Sequence, residues 1–99
     1  MIKRIVLFKL KDEYRNDAAR AEFAERTRQD LSALATVRSV TVGTPADEAT
    51  EATWDICIVL HFDNMDDVQE YIAAPAHRAY VDTYATPHLQ ARKASNFQI

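Results

Sequence analysis

The chain has 99 residues, of which 47% are hydrophobic and 27% are charged, and its formal net charge is −3. This length and balance are typical of one globular domain with its own core, so we expect a single domain over residues 1–99. They exclude disordered, collagen-like and disulfide-rich proteins. The longest apolar runs, residues 5–8 and 56–60, are far shorter than the roughly 18 residues of a membrane span, so no membrane partner is expected.

The charges and the single cysteine narrow the choice of partner and compartment. Residues 1–43 carry nine basic and six acidic residues (+3), whereas residues 44–99 carry three and nine (−6). Nucleic-acid binding requires a basic patch, and because the chain shows none, no nucleic-acid partner is expected. Cys57 has no second cysteine to pair with, and we expect no secretion signal because no charged segment leads into an apolar segment with a cleavage site. Both features favour the reducing cytoplasm.

The first three predicted elements are a strand, a helix and a strand. Residues 1–10 are rich in branched apolar residues on both alternating faces, which indicates a strand covered on both sides. Residues 18–34 have apolar side chains at helical spacing, after Asn16 or Asp17 as the N-cap. The alternation over residues 37–43 predicts the second strand.

The second half of the chain is also predicted to form a strand, a helix and a strand. An exposed loop is expected over residues 44–52. The alternation over residues 54–62 gives the clearest strand of the chain, with Trp54 on the same face as Ile58 and Leu60. Asp63 and Asn64 are predicted to begin a helix. Pro75 is predicted to end it and to begin a second helical segment, since proline suits a first helical turn. Residues 94–99 are predicted to form a short last strand.

The order strand–helix–strand–strand–helix–strand predicts the α+β class, as a ferredoxin-like βαββαβ sandwich with helices on one sheet face. We expect the more apolar face, with Val6, Phe8, Ile58 and Leu60, to lie under the helices. The opposite face has an apolar centre with polar ends: Ile5, Leu7, Cys57 and Val59, then Lys3, Lys9, Asp55 and His61. Because such a patch is unfavourable in water, we expect a homodimer in which two sheets face each other. The alternative is a monomer with an apolar sheet surface.

Four blocks, at residues 1–10, 37–43, 54–62 and 71–77, resemble the stress-responsive A/B-barrel (Dabb) family. Their order and spacing match almost from end to end. The resemblance implies a ferredoxin-like fold whose dimers form an α+β barrel. Members of the family include plant stress proteins, olivetolic acid cyclase, which closes a linear polyketide by an aldol condensation, and many proteins without an assigned reaction.

Two residues of this sequence match the catalytic pair of that cyclase, namely Tyr71 and His77. A histidine is suited to removing a proton next to a carbonyl, and a tyrosine hydroxyl to stabilising the resulting oxyanion. Three other histidines of the cyclase correspond to Arg4, Ile56 and Ala74 here. The alternative interpretation is that His77 braces the start of a helix and that Tyr71 is an ordinary half-buried tyrosine.

The space between helices and sheet is expected to form a pocket for a small molecule. Its predicted apolar lining is Val6, Phe8, Phe23, Ile58, Leu60, Val68 and Ile72. Arg4 lies on the same strand face, where its guanidinium is suited to binding a ligand carboxylate through two hydrogen bonds. Alternatively, Arg4 extends to the edge of the sheet or pairs with an acidic side chain.

We expect no metal and no cofactor. His61, His77 and His88 lack the close spacing of metal-ligand pairs, and acidic residues at 63–67 are explained by a helix start. With Gly43 as the only glycine, a phosphate-binding loop is excluded. The sequence therefore predicts a homodimer that binds a small apolar or carboxylate-bearing molecule. A polyketide-cyclase-like enzyme and a purely structural assembly protein are the alternatives.

Overall fold

Four antiparallel strands form a single sheet in the computed structural model, which describes residues 1–99. The strands are β1 (Ile2–Leu10), β2 (Ser39–Gly43), β3 (Ile56–Phe62) and β4 (Leu89–Gln98). Their order across the sheet is β2-β3-β1-β4, so β1 lies at the centre between β3 and β4. This is the ferredoxin-like α+β topology, and the predicted fold class is confirmed.

The structure has five helices, two of which begin directly after the residues that the sequence marks as caps. They are α1 (Asp17–Ser32), α2 (Glu48–Glu51), α3 (Met65–Ala73), α4 (Pro75–Ala79) and α5 (Thr86–His88). Asn16 and Asn64 accept hydrogen bonds from the first turns of α1 and α3, each at 2.9 Å. A π-helical segment, Tyr80–Ala85, joins α4 to α5. No helix combines the length and the apolar character needed to cross a membrane.

The hydrophobic core lies between the helices and one face of the sheet. Val6, Phe8, Ile58 and Leu60 are all buried there, as predicted. On the opposite side, the open face consists of Ile5, Leu7, Cys57 and Val59, and all four are only half-buried in the single chain. The strand β4 is exposed along nearly its whole length. The sheet is therefore covered by helices on one side only.

The local sequence pattern gave wrong bounds for several elements. The last strand begins at Leu89 rather than at residue 94, because its pairing with the full length of β1 extends it beyond its apolar residues. The second strand begins at Ser39 rather than at 37. The expected loop over residues 44–52 contains one helical turn, α2, because the Asp47 side chain accepts a hydrogen bond from the Thr50 N–H at 2.8 Å.

Trp54 and Asp55 lie on the opposite sides from those predicted. Because β3 begins only at Ile56, the alternation does not extend to these two residues. Trp54 instead lines a shallow cavity with Leu7 and Cys57 of the open face. Asp55 is buried, so the prediction that it marks an end of the open face is wrong. Its carboxylate turns towards α1, where the attraction of arginines overrides the strand pattern.

Asp55 is the central acceptor of a buried ion-pair cluster. Its carboxylate lies 2.9 Å from Arg20 Nε and 3.2 Å from Arg15 Nε, and it accepts a hydrogen bond from the Leu10 N–H at 2.8 Å. Arg20 also bonds Glu51 at 3.0 Å. The cluster thereby connects β1, α1, α2 and the start of β3 around one carboxylate.

We predict that Asp55→Ala lowers the free energy of unfolding by about 3–5 kcal/mol, because the buried Arg20 guanidinium loses its main acceptor. Urea denaturation followed by circular dichroism measures this change. The matched control is Asp63→Ala, which removes an exposed carboxylate paired with Arg38 at 2.8 Å. Equal loss of stability in the two variants would contradict a special role for the Asp55 cluster.

Candidate functional site

A cavity of about 80 Å³ lies between the helical layer and strands β1, β3 and β4. We call it the arginine cavity, after two of its lining residues. The lining is Arg4, Val6, Phe8, Leu31, Ile58, Tyr71, Ile72, His77, Tyr80, Val81, Arg92 and Ala94. The register of β1 against β4 explains its position, because Val6 lies opposite Ala94, whose methyl group leaves space between larger neighbours.

The two arginines of this cavity have no acidic partner. Neither Arg4 nor Arg92 takes part in any ion pair of the structure. Arg4 Nη1 donates to Asn96 Oδ1 at 2.9 Å, whereas Arg4 Nε is buried without a hydrogen-bond partner. Burial lowers the pKa of the Arg4 guanidinium, and the positive charge of Arg92 adds to this effect. A buried unpaired donor is costly, so this cavity favours an anionic ligand.

The break between α3 and α4 places Tyr71 and His77 at the cavity wall. Ala74 has an extended backbone before Pro75, which starts the next helix. The rings of Tyr71 and His77 then lie with their centroids 4.3 Å apart. His77 Nδ1 is 3.2 Å from the carbonyl oxygen of Ile72. Because a carbonyl only accepts, Nδ1 carries the proton and Nε2 retains a lone pair.

The histidine and the two tyrosines of the cavity favour their neutral forms. Burial lowers the pKa of His77 below its ordinary value, and the positive charges of Arg4 and Arg92 lower it further. Burial raises the pKa of Tyr71 to about 12, so its hydroxyl remains a hydrogen-bond donor at neutral pH. Burial likewise raises the pKa of Tyr80, whose hydroxyl lies 2.6 Å from Thr27 Oγ1. The cavity thus presents neutral groups beside two fixed positive charges.

The model of the stress-responsive A/B barrel domain (Dabb) family matches residues 2–99. The chain belongs to this family. No curated protein matches its sequence.

Solved structures share the Dabb chain's fold. A Dabb family protein with a ferredoxin-like fold from Mesorhizobium loti has a TM-score of 0.83 at 17% identity, over 99% of this chain and 95% of that one. A dimeric protein of unknown function from Bacteroides fragilis has a TM-score of 0.79 at 27% identity, over 99% of this chain and 95% of that one. A hydroxynitrile lyase from Passiflora edulis has a TM-score of 0.78 at 15% identity, over 99% and 92%. The likenesses at 15% and 17% identity show the fold alone.

The structure brings together seven of the ten site residues predicted for this Dabb chain. These seven are Arg4, Val6, Phe8, Ile58, Tyr71, Ile72 and His77. Leu60 and Val68 do not line the cavity, because they are completely buried in the core beside it. Phe23 does not line it either, because its ring packs edge-to-face on Phe8 and faces a separate cavity.

Five lining residues were not predicted: Leu31, Tyr80, Val81, Arg92 and Ala94. The omission of Arg92 follows from the misplaced start of β4, since a strand from Leu89 puts Arg92 and Ala94 on one face by simple alternation. Among all described residues, no group of histidine, cysteine, aspartate or glutamate side chains is arranged to hold a metal ion.

Proposed function

We propose that this Dabb protein is a cytoplasmic homodimer that binds a small carboxylate-bearing molecule in the arginine cavity. The observation that carries the proposal is that Arg4 and Arg92 line a largely apolar cavity that contains no acidic side chain to neutralise them. A guanidinium binds a carboxylate through two parallel hydrogen bonds. The unpartnered Nε of Arg4 supplies one such donor.

The remaining lining indicates the rest of the ligand. Val6, Phe8 and Ile58 present apolar surface that suits a hydrocarbon group, and the Tyr71 hydroxyl offers a further donor. The volume of about 80 Å³ is well below the roughly 300–1,000 Å³ of pockets that enclose drug-sized ligands. The ligand that fits best is therefore a short carboxylate with a compact apolar part.

The open face supports the proposed homodimer. Its four apolar residues are half-buried in one chain, and Phe97 on the neighbouring β4 is 51% exposed, opposite Lys3. Covering such a surface with a second copy removes apolar area from water. The dimeric Bacteroides fragilis protein of the same fold supports this arrangement. The cytoplasm is proposed because the only cysteine, Cys57, is unpaired.

Calorimetric titration with butyrate and with its neutral analogue butyramide tests the ligand class. We predict that butyrate binds, that butyramide does not, and that Arg4→Met or Arg92→Met weakens butyrate binding about 10- to 100-fold, since each removes a charged hydrogen-bond donor. Arg78→Met is the matched control, because Arg78 is exposed and does not line the cavity. Equal binding of acid and amide, or unchanged affinity in both cavity variants, would contradict the proposal.

A second candidate function is a ring-closing enzyme, which the fixed tautomer of His77 favours. His77 Nε2 would take the proton from a carbon next to a carbonyl, while the Tyr71 hydroxyl donates to the enolate oxygen. The carbanion then attacks a second carbonyl carbon of the same substrate molecule, and the new alkoxide takes up the proton that His77 had removed. The fold admits enzymes, as the hydroxynitrile lyase from Passiflora edulis illustrates. A linear polyketide exceeds the present cavity, however, so ligand binding is the better supported function.

For this second function, His77→Ala is expected to abolish turnover of a linear polyketide while leaving the affinity for butyrate within about threefold. The rate in the unchanged protein should rise with pH and reach its plateau at a lower pH than an ordinary histidine would give, because only the neutral imidazole is a base and the pKa of His77 is lowered. Turnover that survives in His77→Ala would exclude this role.

A further inference from the structure

A second cavity, of about 200 Å³, lies on the other side of Phe23 from the arginine cavity and serves no part of the proposed function. We call it the aromatic crevice. It is lined by Leu10, Tyr14, Ala19, Glu22, Phe23, Tyr84 and His88. The lining joins α1 to the short 3₁₀ turn Asp12–Tyr14 and to the last helical turns before β4.

The rings of the aromatic crevice are held in place by their mutual contacts. The ring centroid of His88 is 4.5 Å from that of Tyr14 and 4.8 Å from that of Tyr84, which lies 5.2 Å from Phe23. His88 Nδ1 donates to the carbonyl oxygen of Tyr84 at 2.7 Å, and the Lys11 N–H donates to that of His88 at 2.8 Å. These bonds fix the walls, although three of the rings remain only half-buried.

The charge of the crevice is opposite to that of the arginine cavity. Glu22 carries its only acidic side chain and forms no ion pair, since Arg26, one turn later, bonds Asp30 at 2.9 Å instead. No lysine or arginine lines the crevice. Burial raises the pKa of Tyr84; the negative charge of Glu22 adds to this rise, and the positive charge of Arg26 opposes it.

Tyr84 already interacts with one cation of the chain itself. The guanidinium carbon of Arg26 lies 4.6 Å from the centre of the Tyr84 ring, within the range of a cation–π contact. The faces of phenol rings attract cations because their quadrupole is negative there. Arg26 is not one of the residues that line the crevice, which retains about 200 Å³ of free volume beside these rings.

We propose that the aromatic crevice binds a small organic cation of the methylated ammonium type. Such a cation has an apolar surface that suits the rings of Tyr14, Tyr84 and Phe23, and a diffuse positive charge that suits Glu22. This site is independent of the carboxylate site, since the two cavities share no lining residue.

Titration by NMR with choline chloride at constant ionic strength tests this proposal, and the matched probe is 3,3-dimethyl-1-butanol, which replaces the charged nitrogen by carbon. We expect saturable shifts around Tyr14, Tyr84 and His88 in the millimolar range for choline, with binding of the neutral probe at least about threefold weaker. Glu22→Gln should weaken choline binding about two- to fivefold, and Tyr14→Leu about three- to tenfold.

Two control variants separate this site from the rest of the chain. Glu25→Gln removes an acidic side chain of the same helix that pairs with Arg28, and it should leave choline binding unchanged. Arg4→Met should also leave choline binding unchanged, because Arg4 does not line the crevice. The choline test is therefore independent of whether the arginine cavity binds a carboxylate. The proposal is overturned if choline gives no saturable shifts, if the neutral probe binds equally well, or if neither crevice variant weakens binding.

Discussion

The central position of β1, whose two faces are both apolar, is the constraint on which the rest of the structure depends. β1 pairs with β3 on one side and with β4 on the other, so it is not an edge strand. Each of its two apolar faces therefore needs a layer that covers it. Val6 and Phe8 are covered by the helices. Ile5 and Leu7 point to the opposite side, where the single chain supplies no equivalent layer, and we propose that a second copy supplies it.

The same strand also determines the chemistry of the arginine cavity. Opposite the row Arg4, Val6 and Phe8, the register of β4 places Asn96, Ala94 and Arg92. The helices cover β1 but leave β4 exposed, so the cavity forms where the helical layer ends. Its positive side chains are thus part of the sheet, whereas the neutral Tyr71 and His77 come from the helices above. This arrangement suits a ligand with a charged end and an apolar body.

The sequence predicted those features that depend on neighbouring residues. Alternation in β1 and β3 identified the core face, and asparagine caps identified the helix starts. The predictions that were wrong concern features that depend on residues far apart in the chain. Trp54 and Asp55 were misplaced because the strand begins only at Ile56, and ion pairs with Arg15 and Arg20, rather than strand alternation, decide where Asp55 points. Arg92 was missed because pairing with β1, and not local apolar pattern, makes residues 89–93 a strand.

Sedimentation equilibrium of the unmodified protein at micromolar concentration, compared with Leu7→Asp, tests the central claim most directly. If the open face is covered by a second copy, the unmodified protein sediments with twice the mass of one chain. The variant then dissociates into folded monomers, because a charge would be buried between the sheets. A stable single chain at that concentration, or a variant that sediments as the unmodified protein does, would contradict the account.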